Sequence, residues 1–287
     1  MKFVPYRLQR SIGRFFFGLY CSISYIFLLS PMVVVIGTSL NGPTENVEAS
    51  FTFPPKSLSL YWYTQIPEGQ IDALLLSFVL ATVASLCGCL LGVPAALGLV
   101  RSNVPGKALI SAIFRAPLQI PAIVTGIAFL QLFYWIGDLT GFYWQGSIIG
   151  LALGHIFIAT PYVVGTVTAI LQRFDTRLEE AAVIHGASPR RAFFRVTLPV
   201  IMPGVYAGAL YAFMVSFSDV PVAIFLSAPG FVTYPVEIFF ALENDFEPSL
   251  MASATLVIFV CLLLLLLVQK VIGLDALLKV GGSRGVG

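Results

Sequence analysis

The sequence predicts an all-α membrane protein with six transmembrane helices and a structured cytoplasmic loop. Three observations predict it. Of 287 residues, 58% are hydrophobic and only 10% are charged, and the mean hydropathy of +0.92 lies far outside the range of soluble globular chains. The apolar residues gather into runs long enough to cross a hydrocarbon core of about 30 Å. Basic residues fall in alternate gaps between those runs, as sidedness in a bilayer requires.

Residues 1–14 carry Lys2, Arg7, Arg10 and Arg14 without an acid, and Phe15 to about Gly37 is continuously apolar. That run exceeds the roughly 7–15 residues of a signal-peptide core, so it reads as an uncleaved first span, 15–37. The loop over 38–70 holds Pro43, Pro54, Pro55 and Pro67, and Tyr61-Trp62-Tyr63 near its end suits a membrane interface. A second span covers about 71–100, where Gly88, Gly92 and Gly98 allow close helix approach. After a basic turn, 101–107, the third span (about 108–135) has Arg115 early in it and is interrupted by Pro117 and Pro121.

The fourth span, 147–171, contains Pro161 and His155, the latter read as a hydrogen-bonded structural histidine. A fifth covers about 200–226, with Pro203 and Pro221 near its ends. An outer loop, 227–250, leads to the sixth at about 251–268 and a Gly-rich tail. Residues 1–287 are thus read as a single transmembrane domain. Cys21, Cys87, Cys89 and Cys261 all lie in apolar segments and read as packing residues.

With both termini cytoplasmic, Lys56 is the only one of 16 Lys and Arg residues left outside, the distribution that the positive-inside rule favours. Glu45, Glu48, Glu68, Asp72, Asp138, Glu237, Glu243, Asp245 and Glu247 then face outward. Such a face either draws in cations at long range or docks a soluble partner.

The stretch from Thr176 to Pro199, TRLEEAAVIHGASPRRAFFRVTLP, is a polar interlude between two spans and is written as two short helices. Thr176 and Glu179 form a capping-box pattern. Gly186 suits a left-handed C-terminus. Ser188 and Pro189 restart the helix as cap and first residue, Arg190, Arg191 and Arg195 charge it, and Leu198-Pro199 closes it. The result is a helix-turn-helix knob on one side of the membrane. An amphipathic helix lying in the interface is the competing reading.

Within it, Glu180-Ala181-Ala182 is followed after three residues by Gly186, and after nine more by Val196-Thr197-Leu198-Pro199. This spacing resembles the EAA signature of permease subunits in binding-protein-dependent ABC importers, with Val196 standing for the usual Ile. The resemblance implies a type I ABC importer permease fold in a bacterial inner membrane, in which this loop, 173–199, is the coupling element. It implies that Glu179, Glu180, Ala181, Ala182 and Gly186, with Ala187, Pro189, Leu198 and Pro199, shape the contact with a separate ATPase dimer, which binds ATP and magnesium. A second permease subunit, related or identical, and an extracytoplasmic solute-binding protein complete the implied assembly.

The chain itself offers no nucleotide site. Gly106-Lys107 comes closest to a phosphate loop, but Arg101 stands where its first glycine is required and Ala108 where Ser or Thr should hold magnesium. Two isolated histidines and no paired acidic motif give no catalytic or metal-ligating constellation. Nucleic acid is not an expected partner. An ion-coupled secondary transporter is the alternative, and Asp219 is the clear ionisable candidate deep in a span. Asp219, with Phe217 and Ser218, is therefore the candidate substrate pathway; the other reading of Asp219 is a solvated acid at the helix end. The segment from Ser216 through Pro229-Gly230 to Tyr234-Pro235-Val236 is similar to the polyamine branch of these permeases. Ser218 replaces the first of that branch's two acids and Tyr234 its Leu, and related branches carry iron, thiamine, aminophosphonates or amino-acid-like solutes.

Overall fold

The structure, a computed structural model, describes residues 6–43, 51–244 and 247–272. Glu45, Glu48, Asp245, Lys2 and the Gly-rich tail lie outside these. The helices are α1 (Tyr6–Ser39), α2 (Glu68–Arg101), α3 (Lys107–Arg115), α4 (Ala122–Thr140), α5 (Ile148–Leu171) and α6 (Arg177–Ile184). They continue with α7 (Pro189–Ala192), α8 (Leu198–Phe217), α9 (Ala223–Leu226), α10 (Tyr234–Asn244) and α11 (Ser249–Ile272). Among the described residues, six helical stretches are long and apolar enough to cross a membrane: Arg14–Ser39, Glu68–Arg101, Ala122–Thr140, Ile148–Leu171, Pro189–Phe217 and Ser249–Leu266.

The chain divides into two compact units. The first comprises α1, the loop as far as Pro67, and α11 as far as Leu263. Within it Tyr63 reaches back to α1, its hydroxyl 2.8 Å from Ser39 Oγ, and Asn41 Oδ1 accepts from the Lys56 amide at 2.9 Å. The aromatic triplet thus begins a tight 3₁₀ turn, Tyr61–Thr64.

The second unit is built on α2, α5 and α8. Ala84 and Ala96 of α2, Val163 and Val167 of α5, and Ile201 and Ala212 of α8 form one buried cluster. Small residues set its spacing: a Cβ on Gly92 would stand 2.9 Å from the Val163 side chain, and one on Gly208 would stand 2.9 Å from Val163 Cα. Ser85 Oγ donates to the Ala209 carbonyl at 2.7 Å, fastening α2 to α8 inside this apolar core. A second cluster joins Leu80, Phe133, Leu151, Val222, Leu226 and Val236, so α4, α5, α9 and α10 share one core with α2.

Three expected elements differ. The third span does not start at 108: Lys107–Arg115 is a separate helix, a 3₁₀ turn follows at Ala116–Leu118, and the span proper is Ala122–Thr140. Pro117 and Pro121 each remove an amide donor, and Ala116 keeps helical dihedrals (φ −53°, ψ −41°) as the chain tightens from α-helix into the 3₁₀ turn. Arg115 therefore ends a short helix. The fifth span stops at Phe217 instead of running to 226, because Pro221 lacks an amide and Asp219 caps a new helix. The outer loop contains α10, with Tyr234 and Val236 buried and the Tyr234 amide donating to Ser77 Oγ on α2 at 2.7 Å.

Candidate functional site

The knob begins where α5 ends, at Leu171. Its first arm is α6, but Thr176 does not cap it: Thr176 already has helical dihedrals (φ −61°, ψ −21°) and makes no side-chain capping bond. Asp175 takes that place, its Oδ1 accepting from the Arg177 amide at 3.1 Å and from Arg177 Nε at 3.0 Å. The Arg177 side chain, and then its amide, hold the Asp175 carboxyl below its ordinary pKa. That contribution to stability is full above the unfolded pKa and fades only as pH falls through the lowered folded value, well below neutrality. Glu179 does not fold back to complete a capping box either. It turns to Arg101 at the end of α2, with Arg101 Nη2 2.8 Å from Glu179 Oε2.

The corner between the arms is made by Gly186 at φ +90°. The Gly186 amide donates to the Val183 carbonyl at 2.9 Å and the Ala187 amide to the Ala182 carbonyl at 3.0 Å. That pair of bonds is a Schellman closure, which needs a left-handed residue at its centre and so needs glycine. Ser188 then caps the second arm, its Oγ accepting from the Arg191 amide at 3.4 Å, with Pro189 at the first helical position.

The second arm is not closed by Leu198-Pro199. It passes through a π-helical turn, Phe193–Thr197, directly into α8, so Pro189–Phe217 is one helical run. Pro199, whose missing amide would break an α-helical ladder, stands immediately after the π-helical turn, where the Leu198 amide bonds to the Phe193 carbonyl and the ladder changes register. The arms enclose a hollow of about 410 Å³ lined by Thr176, Glu179, Glu180, Val183, Ile184 and Pro189. Its apolar rim is open to solvent, with Ile184 83% exposed and Val183 43%. Ala181 is exposed and Ala182 half-buried.

The second candidate group lies at the other end of α8, about 30 Å away for a helix of that length. Phe217 is buried and stacks on Phe213 with ring centroids 5.7 Å apart. Ser218 is exposed and donates to the Met214 carbonyl at 2.8 Å. Asp219 is only 7% exposed, and its Oδ2 accepts from the amides of Val222 at 3.0 Å and Ala223 at 2.8 Å. Asp219 is thus a buried cap of α9; it is neither deep inside a continuous helix nor solvated at its end.

The first turns of α2 and α10 face each other across a cleft of about 310 Å³, lined by Asp72, Ala73, Phe231 and Glu237 among others. Sequence reading places Asp72 and Glu237 on the outer face but gives no sign that they share a cleft. It also misses the roles of Arg101, read there as part of a basic turn, and of Asp175, which falls within the loop 173–199 without being singled out.

The sequence model for inner-membrane components of binding-protein-dependent transport systems matches residues 88–274. The chain is 31% identical over 240 residues to the putrescine transport system permease protein PotI of Escherichia coli K12, covering 82% of this chain and 83% of that one. It is 28% identical over 267 residues to the spermidine/putrescine transport system permease protein PotC of Haemophilus influenzae, covering 91% and 98%. Among solved structures, a bacterial ABC transporter involved in the import of the acidic polysaccharide alginate has the same fold, with a TM-score of 0.70 at 15% identity over 94% of this chain and 99% of that one. The matched residues take in the end of α2, all of α5 and α8, and the whole knob between them, and the chain belongs to this family, as a multi-pass inner-membrane permease subunit of an ABC importer.

Proposed function

We propose that this permease moves a small cationic amine, of the putrescine or spermidine kind, inward across the membrane, with both of its termini cytoplasmic. Sidedness supports the orientation: it places the Arg-rich knob and the N-terminal basic residues inside and leaves Lys56 outside. The names of the relatives support the solute class, and so does the outer cleft with its two carboxylates, Asp72 and Glu237. The ion-coupled alternative loses its basis, since the carboxylate it relied on, Asp219, caps α9.

The knob is the observation that carries the reading. A protrusion with an exposed apolar rim is a surface that a partner covers, and in this family the partner is an ATPase. Glu180, Ala181, Ala182, Gly186 and Ala187 form the first arm and corner that would seat on it, and Glu179 serves the coupling through its pair with Arg101. Pro189, Leu198 and Pro199 lie along the second arm and its entry into α8. ATP and magnesium stay with the ATPase dimer, whose closure pulls the knob. Because the second arm is continuous with α8, that pull reaches Phe217, Ser218 and Asp219, which we assign to the solute pathway, with Ser218 the exposed member. A second permease subunit supplies the remaining walls, and an extracytoplasmic binding protein delivers solute at the outer cleft. The closed ATPase then needs to favour one permease state by only about 1–3 kcal/mol.

The test is purification of the full chain from its membrane in mild detergent, followed by reconstitution with the chains that accompany it. A nucleotide-hydrolysing subunit and ATP-dependent uptake of labelled putrescine are expected. Absence of any such subunit would sink the proposal.

A further inference from the structure

Arg101 closes α2, yet its side-chain partners all belong to the knob. Two of its nitrogens meet Glu179, Nη2 at 2.8 Å from Oε2 and Nη1 donating to Oε1 at 3.2 Å, a two-pronged pair that only a planar guanidinium makes. Nη2 also donates to Thr197 Oγ1 at 3.3 Å, and the guanidinium carbon stands 5.9 Å from the Phe174 ring centroid. Phe174 lies at the knob's entry, Glu179 on its first arm, and Thr197 at the end of the π-helical turn through which the second arm enters α8. Thr197 is fully buried, so its hydroxyl needs a partner. A π-helical turn is a strained insertion that recurs at functional positions in helices, and Arg101 grips this one at its end.

We propose that Arg101 is the positioning residue that carries movement of the knob into α2. The inference rests on the importer reading above. Entry, arm and exit of the knob converge on one side chain, so the two arms cannot shift together without drawing the end of α2 with them. α2 in turn shares its buried face with α5 and α8, so a displacement at Arg101 is transmitted to the whole core of the second unit. Lysine could not substitute: it offers a point charge, where reaching Glu179 and Thr197 together requires the fork.

The experiment compares the reconstituted complex carrying wild-type chain, R101A, R101K, E179A or R101A/E179A. It reads labelled putrescine taken up per ATP hydrolysed, and the amount of ATPase retained on purification. R101A should keep the complex together yet lower uptake per ATP by about fivefold or more. R101K should also fall, and R101A/E179A should be no worse than R101A, because Glu179 acts through Arg101. A wild-type ratio in R101A, or in R101K should R101A not assemble, overturns the inference, as do losses that multiply in the double variant. A wild-type complex with no ATP-driven uptake would instead overturn the importer reading, and this inference with it.

Discussion

His155 and Ser216 meet inside the second unit, His155 Nδ1 lying 2.8 Å from Ser216 Oγ, with His155 fully buried and Ser216 3% exposed. The bond ties α5 to α8 just before α8 ends and the Asp219 turn begins. Its partners are a polar pair in an apolar setting, where an unmade hydrogen bond costs more than a made one contributes.

Ser216→Ala should therefore destabilise the protein by about 1–3 kcal/mol, since it strands a buried imidazole nitrogen. His155→Leu combined with Ser216→Ala removes both polar partners and should recover most of that loss. Thermal unfolding in detergent measures both. A double variant less stable than Ser216→Ala alone would show that the pair does more than satisfy itself.

Gly186→Leu should leave the chain inserted but uncouple it. At φ +90° a side chain costs about 1–2 kcal/mol, and relief of that strain would break the bonds from Gly186 to Val183 and from Ala187 to Ala182. Gly186→Asn should be milder, because Asn tolerates the left-handed region. The measurement is ATP hydrolysis and uptake in parallel, with uptake falling further than hydrolysis.

Much of this was legible from residue order alone. Apolar runs gave the number of spans, and Gly186, Ser188 and Pro189 gave the knob's corner, because a positive φ and a helix start make local demands that few residue types meet. The places where reading failed share a cause. Thr176 matched a capping pattern, yet Glu179 was drawn off by Arg101, 78 residues away, and Asp175 accepts the Arg177 amide instead. The break after Phe217 needed Pro221 and Asp219 to be weighed together, and the cleft between Asp72 and Glu237 depends on how α10 packs on α2. Partners distant in sequence leave no periodic trace.

Asp72→Asn combined with Glu237→Gln should weaken uptake of a diamine without loss of protein. The two carboxylates sit on the walls of one outer cleft, and neither forms an ion pair among the described residues. Asp72 is exposed and Glu237 half-buried, so water screens them and the solute concentration for half-maximal uptake should rise only by roughly two- to tenfold. The effect should shrink further as salt is raised. Uptake that is unchanged at low salt would remove the cleft from the solute's route.

Asp219 can be divided into its two properties by two substitutions. Asn offers the same carbonyl oxygen to the Val222 and Ala223 amides and removes only the charge, whereas Ala removes the cap as well. Asp219→Ala should cost about 1 kcal/mol of stability, as loss of a helix cap does, and should disturb α9, whose Leu226 is in the core with Phe133 and Leu151. Asp219→Asn should retain that stability. If the charge helps to pass a cationic solute, uptake by Asp219→Asn should nevertheless fall by about tenfold, the scale of one hydrogen bond to a charged group. Uptake at the wild-type rate in Asp219→Asn, beside a destabilised Asp219→Ala, would make Asp219 a structural cap alone and leave the pathway to Ser218 and its neighbours.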